Sequence, residues 1–114
     1  MIQSTAFGTI TIAGRTYNSD VLIFPDGRVE DGWWRRKGHA LQVDDLLSLV
    51  EAAPELIVVG TGTAGRMRPD PSLRPFLDQQ GIALIAQPNS EAMHVFNKKL
   101  AEGAKIAAGF HLTC

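Results

Sequence analysis

The uninterrupted apolar run Leu56-Ile57-Val58-Val59 ends in Gly60-Thr61-Gly62-Thr63-Ala64-Gly65. Apolar side chains at consecutive positions need burial on both faces of a sheet, and glycines directly after such a run fit the turn at the carboxyl end of a buried parallel strand. That commits the chain to an α/β architecture. The glycines also spell G-x-G-x-x-G, the opening of a dinucleotide-binding turn, in which a helix starting at once presents its N–H groups to a pyrophosphate. The residues that follow cannot start that helix. Pro69 biases Arg68 away from the α region, so the earliest helix start is Asp70 as N-cap with Pro71 at the first helical position. The next strand, Ile82 to Ala86, runs into Gln87-Pro88 and lacks the acidic residue that would hold a ribose. A glycine-rich turn is therefore the stronger reading and no dinucleotide cofactor is expected. A smaller ligand remains open. Gly60, Thr61, Gly62, Thr63, Arg66 and Arg68 are its candidate residues, since two guanidiniums beside backbone N–H groups suit a carboxylate or phosphate. Solvated loop arginines are the alternative.

The rest of the chain divides into two styles. Phe7 to Ile12 alternates, with Ile10 and Ile12 on one face, and Ala13-Gly14 follows with turn chemistry. Val21 to Phe24 is a continuous apolar strand, and Pro25-Asp26-Gly27 turns it back along Arg28-Val29-Glu30. These strands predict an antiparallel N-terminal portion. From Val43 to Ala52 the spacing becomes helical, with Leu46, Leu47, Leu49 and Val50 as a stripe, and Pro54 ends the helix. A second helix is expected from Pro71 to about Gln80, stopped by Gly81, and a third capped by Asn89 or Ser90 and closed by Gly103. A strand from Lys105 to about Leu112 completes a β-α-β-α-β order, for which parallel strands are expected.

Certain residues, in their order and spacing, carry a resemblance. They are Tyr17 with Ser19-Asp20-Val21, Pro25-Asp26-Gly27, Trp34 ahead of the first helix, Leu56 to Gly62, and Gly109-Phe110-His111-Leu112-Thr113-Cys114. Over nearly its whole length the chain resembles the Mth-type small α/β domain. Members of that family include mitochondrial complex I assembly factor 3, the adipogenesis-associated Mth-domain-containing protein and many uncharacterised bacterial and archaeal proteins. The resemblance implies a three-layer α/β fold and, for some members, a role in assembling respiratory complex I through protein contacts. It supplies no catalytic residues to carry over.

Trp33-Trp34-Arg35-Arg36-Lys37 interleaves aromatics with cations. Single-stranded nucleic acid could stack on such a stretch, but three cations neutralise about three phosphates, and 11 Lys plus Arg against 12 Asp plus Glu leave a net charge of -1. No nucleic-acid partner is expected. One Trp packing on the core with the other at the surface is the plain reading. The functional one makes Trp33, Trp34, Arg35 and Arg36 a protein-binding anchor, because Trp and Arg dominate interface hot spots.

His111 and Cys114 suggest a base and a nucleophile, yet residues three apart in a strand point to opposite faces and lie roughly 10 Å apart. His111 is better read as hydrogen-bonded to the first half of the sheet or capping a loop. His39, His94 and His111 have no metal-ligand spacing, so no metal is expected. One cysteine in 114 residues allows no internal disulfide, and neither a signal-like start nor a run near the ~20 apolar residues of a membrane span appears. The expectation is one cytoplasmic, soluble domain over residues 1–114. Its N-terminal antiparallel strands pack on a mostly parallel sheet with flanking helices, and it acts as a non-catalytic interaction or assembly module with a protein partner. The sequence does not reveal oligomeric state. A small-molecule or nucleotide-binding enzyme using the Gly60–Gly65 loop is the alternative.

Overall fold

The computed structural model describes residues 1–113. Its centre is a five-stranded sheet made of β4 (Val21–Ile23), β5 (Val29–Asp31), β7 (Leu56–Gly60), β9 (Ala83–Gln87) and β10 (Ile106–Phe110), in the order β5-β4-β10-β7-β9. β10, β7 and β9 run parallel, pairing Phe110 with Gly60 and Gly60 with Gln87, while β4 runs antiparallel to β10 and β5 antiparallel to β4. The two interior parallel strands, β7 and β10, are buried at every position, as their continuous apolar runs require.

Each face of the sheet carries its own core. On one side α3 (Asn89–Ala101) and a three-stranded sheet of β1 (Ile2–Ala6), β2 (Thr9–Ile12) and β3 (Arg15–Tyr17) cover Val58, Ala108 and Phe110. On the other, a 3-10 turn (Val43–Leu46), α1 (Leu47–Glu51) and α2 (Leu73–Gln79) bring Leu46, Leu49, Leu73 and Leu77 over Ile57, Val59 and Ala107. Alternate residues of one strand thus serve opposite cores, and the result is the three-layer α/β arrangement expected.

Several local expectations are corrected. The helix predicted over Val43–Ala52 opens as a 3-10 turn and becomes α-helical only from Leu47. The second helix starts at Leu73 rather than Pro71, because the Asp70 carboxylate accepts from the N–H and hydroxyl of Ser72 and holds a turn instead of capping a helix. Asn89 does not cap α3; it is that helix's first residue, and its side chain crosses to the loops that follow β7 and β10. Three strands carried no signal. β1 contributes one buried residue, Ile2, and is fastened by Asn97, whose side chain bonds both the N–H and the carbonyl of Ile2. The two-residue strands β6 (Ala40–Leu41) and β8 (Arg68–Pro69) pair in parallel, so Arg68 lies in a strand rather than in the open loop.

Candidate functional site at the carboxyl edge of the sheet

Where β7, β9 and β10 end, the chain must leave the sheet and its last polar groups need new partners. Asn89 supplies two of them. Its Oδ1 accepts from Gly62 N–H at 3.1 Å and its Nδ2 donates to the His111 carbonyl at 2.7 Å, tying the loops that follow β7 and β10. The approach is close enough that a Cβ on Gly60 would overlap both Asn89 Oδ1 and the Phe110 ring. Gly62 takes φ 109, which a side chain would strain.

The glycine turn itself is largely spoken for. Thr61 N–H donates to the Gln87 carbonyl, Gly65 N–H to the Gly62 carbonyl, and Met67 N–H to the Thr61 carbonyl. Thr61 is buried, whereas Thr63, Arg66 and Arg68 are exposed. Of the six residues read as a ligand loop, Gly60, Thr61 and Gly62 therefore belong to the closed inner part and the other three form its solvent side.

The Trp33–Arg36 segment also divides, by alternation. Trp34 is 76% exposed and Arg36 is exposed, while Trp33 and Arg35 turn inward. The pattern is that of extended backbone and matches the plain reading of one Trp on the core and the other at the surface; of the four anchor candidates, Arg35, only 7% exposed, does not face solvent. Trp33 packs its six-membered ring against Gly109, where an added Cβ would stand 2.9 Å away, and its indole N–H donates to the Asp45 carbonyl. The Arg35 guanidinium lies over the Trp33 ring at 4.6 Å.

Arg35 reaches a buried ionic corner. Its Nη2 donates to Asp20 Oδ2 at 2.7 Å and its Nε to the Gly38 carbonyl at 3.2 Å. Leu112 N–H donates to Asp20 Oδ1, and His111 Nδ1 lies 2.8 Å from Asp20 Oδ2. Two lone pairs at that distance would repel, so Nδ1 carries the proton and donates to the carboxylate; the 2.7 Å contact between Arg35 Nη2 and Nδ1 is then one of proximity. Burial alone would raise the Asp20 carboxyl. The bonds from His111, Leu112 N–H and Arg35, together with the Arg35 charge, outweigh it and hold the group below its ordinary value. The His39 ring meets that of His111 edge-on, with centroids 5.6 Å apart.

This corner orients a histidine through a carboxylate, as hydrolytic sites do, but the imidazole is 6% exposed and its Nε2 touches no hydroxyl or thiol among the described residues. Cys114, the other half of the sequence's base-and-nucleophile pair, lies outside the described residues. His111 bonding to the first half of the sheet is as expected. Asp20 and Asn89 were not singled out as site residues. The signal that marks Asp20 is an acidic residue placed directly before the fully buried strand β4. A cavity of about 400 Å³ lined by Phe24, Arg28, Ala52 and Lys105 opens at the opposite, amino edge of the sheet. No helix among the described residues is long and apolar enough to cross a membrane.

Comparison with known proteins agrees with this architecture. Residues 2–111 match the family described as "Protein of unknown function (DUF498/DUF598)", and the chain belongs to that family. It is similar to the conserved hypothetical protein PH1505 from Pyrococcus horikoshii OT3, with 26% identity over 100% of this chain and 99% of that one and a TM-score of 0.84. It is also similar to MT938, with 29% identity over 100% and 98% of the two chains and a TM-score of 0.83. A Mth938-like domain from Bordetella pertussis, solved in solution by NMR, shares the fold at 18% identity, 98% and 85% coverage and a TM-score of 0.70. The Mth-type resemblance read from the sequence is thereby shown.

Proposed function

We propose that this DUF498/DUF598 chain is a non-catalytic interaction module whose contact surface centres on Trp34. The observation that carries this is a tryptophan 76% exposed on a segment pinned on both sides. Before it, Trp33 N–H donates to the Asp20 carbonyl and the Trp33 indole to the Asp45 carbonyl; after it, Arg35 is held by Asp20. A large apolar ring presented by fixed backbone loses little freedom on binding, which is what makes a hot-spot anchor efficient. Arg36 and Lys37 beside it favour a partner surface with acidic groups. The resemblance to assembly-factor members supports a protein of respiratory-complex assembly as the partner class.

A photo-crosslinking residue placed at position 34, with one at exposed Gln79 on α2 as control, tests this in the native cell. A discrete adduct formed from position 34 and not from 79 is expected. Adducts that are absent, or alike at both positions, would refute the proposal.

A second reading is favoured by the exposed guanidiniums of Arg66 and Arg68 beside the glycine turn. They suit a small anion bound on the loop's solvent side. That reading predicts stabilisation by phosphate, about 2.7 kcal/mol at 100 times the dissociation constant, which Arg66→Ala removes. Stabilisation unchanged in that variant would place the anion elsewhere.

A further inference from the structure

Three parts of the chain surround one space at the amino edge of the central sheet, the edge away from Trp34 and the glycine turn. The cavity there, about 400 Å³, is lined by Phe24, Pro25 and Asp26 of the turn after β4, Arg28 at the return into β5, Ala52 at the end of α1 and Lys105 just before β10. Its size falls among small-molecule sites, which pair an apolar wall with a few charged groups. Phe24, Pro25 and Ala52 supply the apolar part, and the three charged residues are exposed, so the space is entered directly from solvent.

Two of those residues hold unspent binding surface. The Arg28 guanidinium lies over the buried Phe24 ring, 4.1 Å from its centroid, and a guanidinium held flat on one aromatic face offers its other face to a second planar group. Its Nη1 is kept by Glu30 Oε2 at 3.1 Å, a bond to the guanidinium edge that leaves that face open. Lys105 gives its backbone N–H to the Glu55 carboxylate at 2.8 Å, while its ammonium makes no ion pair among the described residues. The Asp26 carboxylate is already turned to the Arg28 N–H, 2.9 Å away. Two cations against one carboxylate leave the lining at +1 in a chain whose net charge is -1. With Glu30 and Glu55 bonded to the same two residues, that surplus accommodates one negative charge and not two.

We propose that this cavity binds a small planar monocarboxylate, an aromatic or heteroaromatic acid, with its ring on the outer face of the Arg28 guanidinium and its carboxylate accepting from the Lys105 ammonium. Pro25 and Ala52 border the ring, and Asp26 with the two glutamates sets the charge limit. A saturated ring of the same size gains the apolar contact without the stack, and an aromatic cation is repelled by Lys105 and Arg28. The site lies at the opposite end of the strands from Trp34, Arg66 and Arg68, so it stands or falls separately from either functional reading.

The test is a titration of the whole chain with sodium benzoate, cyclohexanecarboxylate, phenyl phosphate or benzylammonium, at constant pH and ionic strength, followed by 1H–15N NMR. Benzoate should give saturable shifts at the amides of Phe24, Arg28, Ala52 and Lys105 and at the Arg28 Nε–H. Lys105→Glu should weaken it at least about tenfold by removing a charge-assisted bond, and Arg28→Ala about fivefold by removing the stack. Lys98→Glu, the same change of net charge placed on α3, should leave benzoate binding as it is. Cyclohexanecarboxylate and phenyl phosphate should bind more weakly than benzoate, and benzylammonium should not saturate. All three substituted residues are exposed, so the variants should fold as the natural protein does. No saturable shift with benzoate, shifts confined to other residues, binding unchanged in Lys105→Glu, or an equal loss in Lys98→Glu would overturn the proposal. So would cyclohexanecarboxylate or phenyl phosphate binding as tightly as benzoate.

Discussion

Two stretches meet at the carboxyl edge of the central sheet, the glycine turn after β7 and the Trp33–Arg36 segment, and they differ in what they leave unspent. In the turn, Thr61, Gly62, Gly65 and Met67 all donate their N–H groups within the protein, and Asn89 fills the space against Gly60. In the other stretch, a tryptophan stands in solvent and a buried guanidinium and the imidazole beside it each keep an unmet nitrogen. The inner part of the glycine motif spends its N–H groups and its space inside the protein. The other stretch keeps an exposed indole and, beside it, nitrogens without partners.

The sharpest break in that contrast is Gly60→Ala. If the turn is packing, a methyl group forced against Asn89 and Phe110 should cost about 3 kcal/mol, read as a lower urea midpoint. A stable variant would reopen the turn as a flexible binding loop. Asn89→Ala should follow at about 2 kcal/mol, because it orphans Gly62 N–H and the His111 carbonyl together.

Asp20→Asn probes the other stretch through pH. The folded carboxyl titrates below its ordinary value of 3.8, so its contribution is fully present above that value and is lost as pH falls through the lower, folded one. Denaturation midpoints measured from about pH 6 down to about pH 2 should fall toward acid more steeply in the natural protein than in the variant. Equal slopes would mean that Arg35 and His111 do not hold Asp20 ionised. The smallest effect belongs to Trp34→Ala, whose stability should stay within about 0.5 kcal/mol of the natural protein. A larger loss would make Trp34 part of the fold rather than of a surface.

Much of the scaffold was legible because burial on two faces writes itself as an unbroken apolar run. Leu56–Val59 and Ile82–Ala86 announced parallel strands, and Pro25-Asp26-Gly27 announced the turn, where Gly27 adopts φ 90 and Asp26 accepts from Arg28 N–H. Ile2–Ala6 was not legible, since an edge strand held by Asn97 buries too little to leave a pattern. Asn89 misled because a short polar residue before a helix is the usual cap, and only the fold brings Gly62 and His111 within its reach. The ionic corner was hidden by distance along the chain: Asp20 and His111 meet because β4 pairs with β10. Arg35 carried one local clue, the in-and-out alternation of an extended segment, which the sequence reading applied to the two tryptophans and not to the arginines.

That alternation is the centre of the account, assigning Trp33 and Arg35 to the fold and leaving Trp34 in solvent. Acrylamide quenching of single-tryptophan proteins tests it most directly, with Trp33→Phe reporting on Trp34 and Trp34→Phe reporting on Trp33. Quenching close to that of a free indole at position 34, with clear protection at position 33, is the predicted result. Equal quenching at the two positions, or protection at 34, would contradict it.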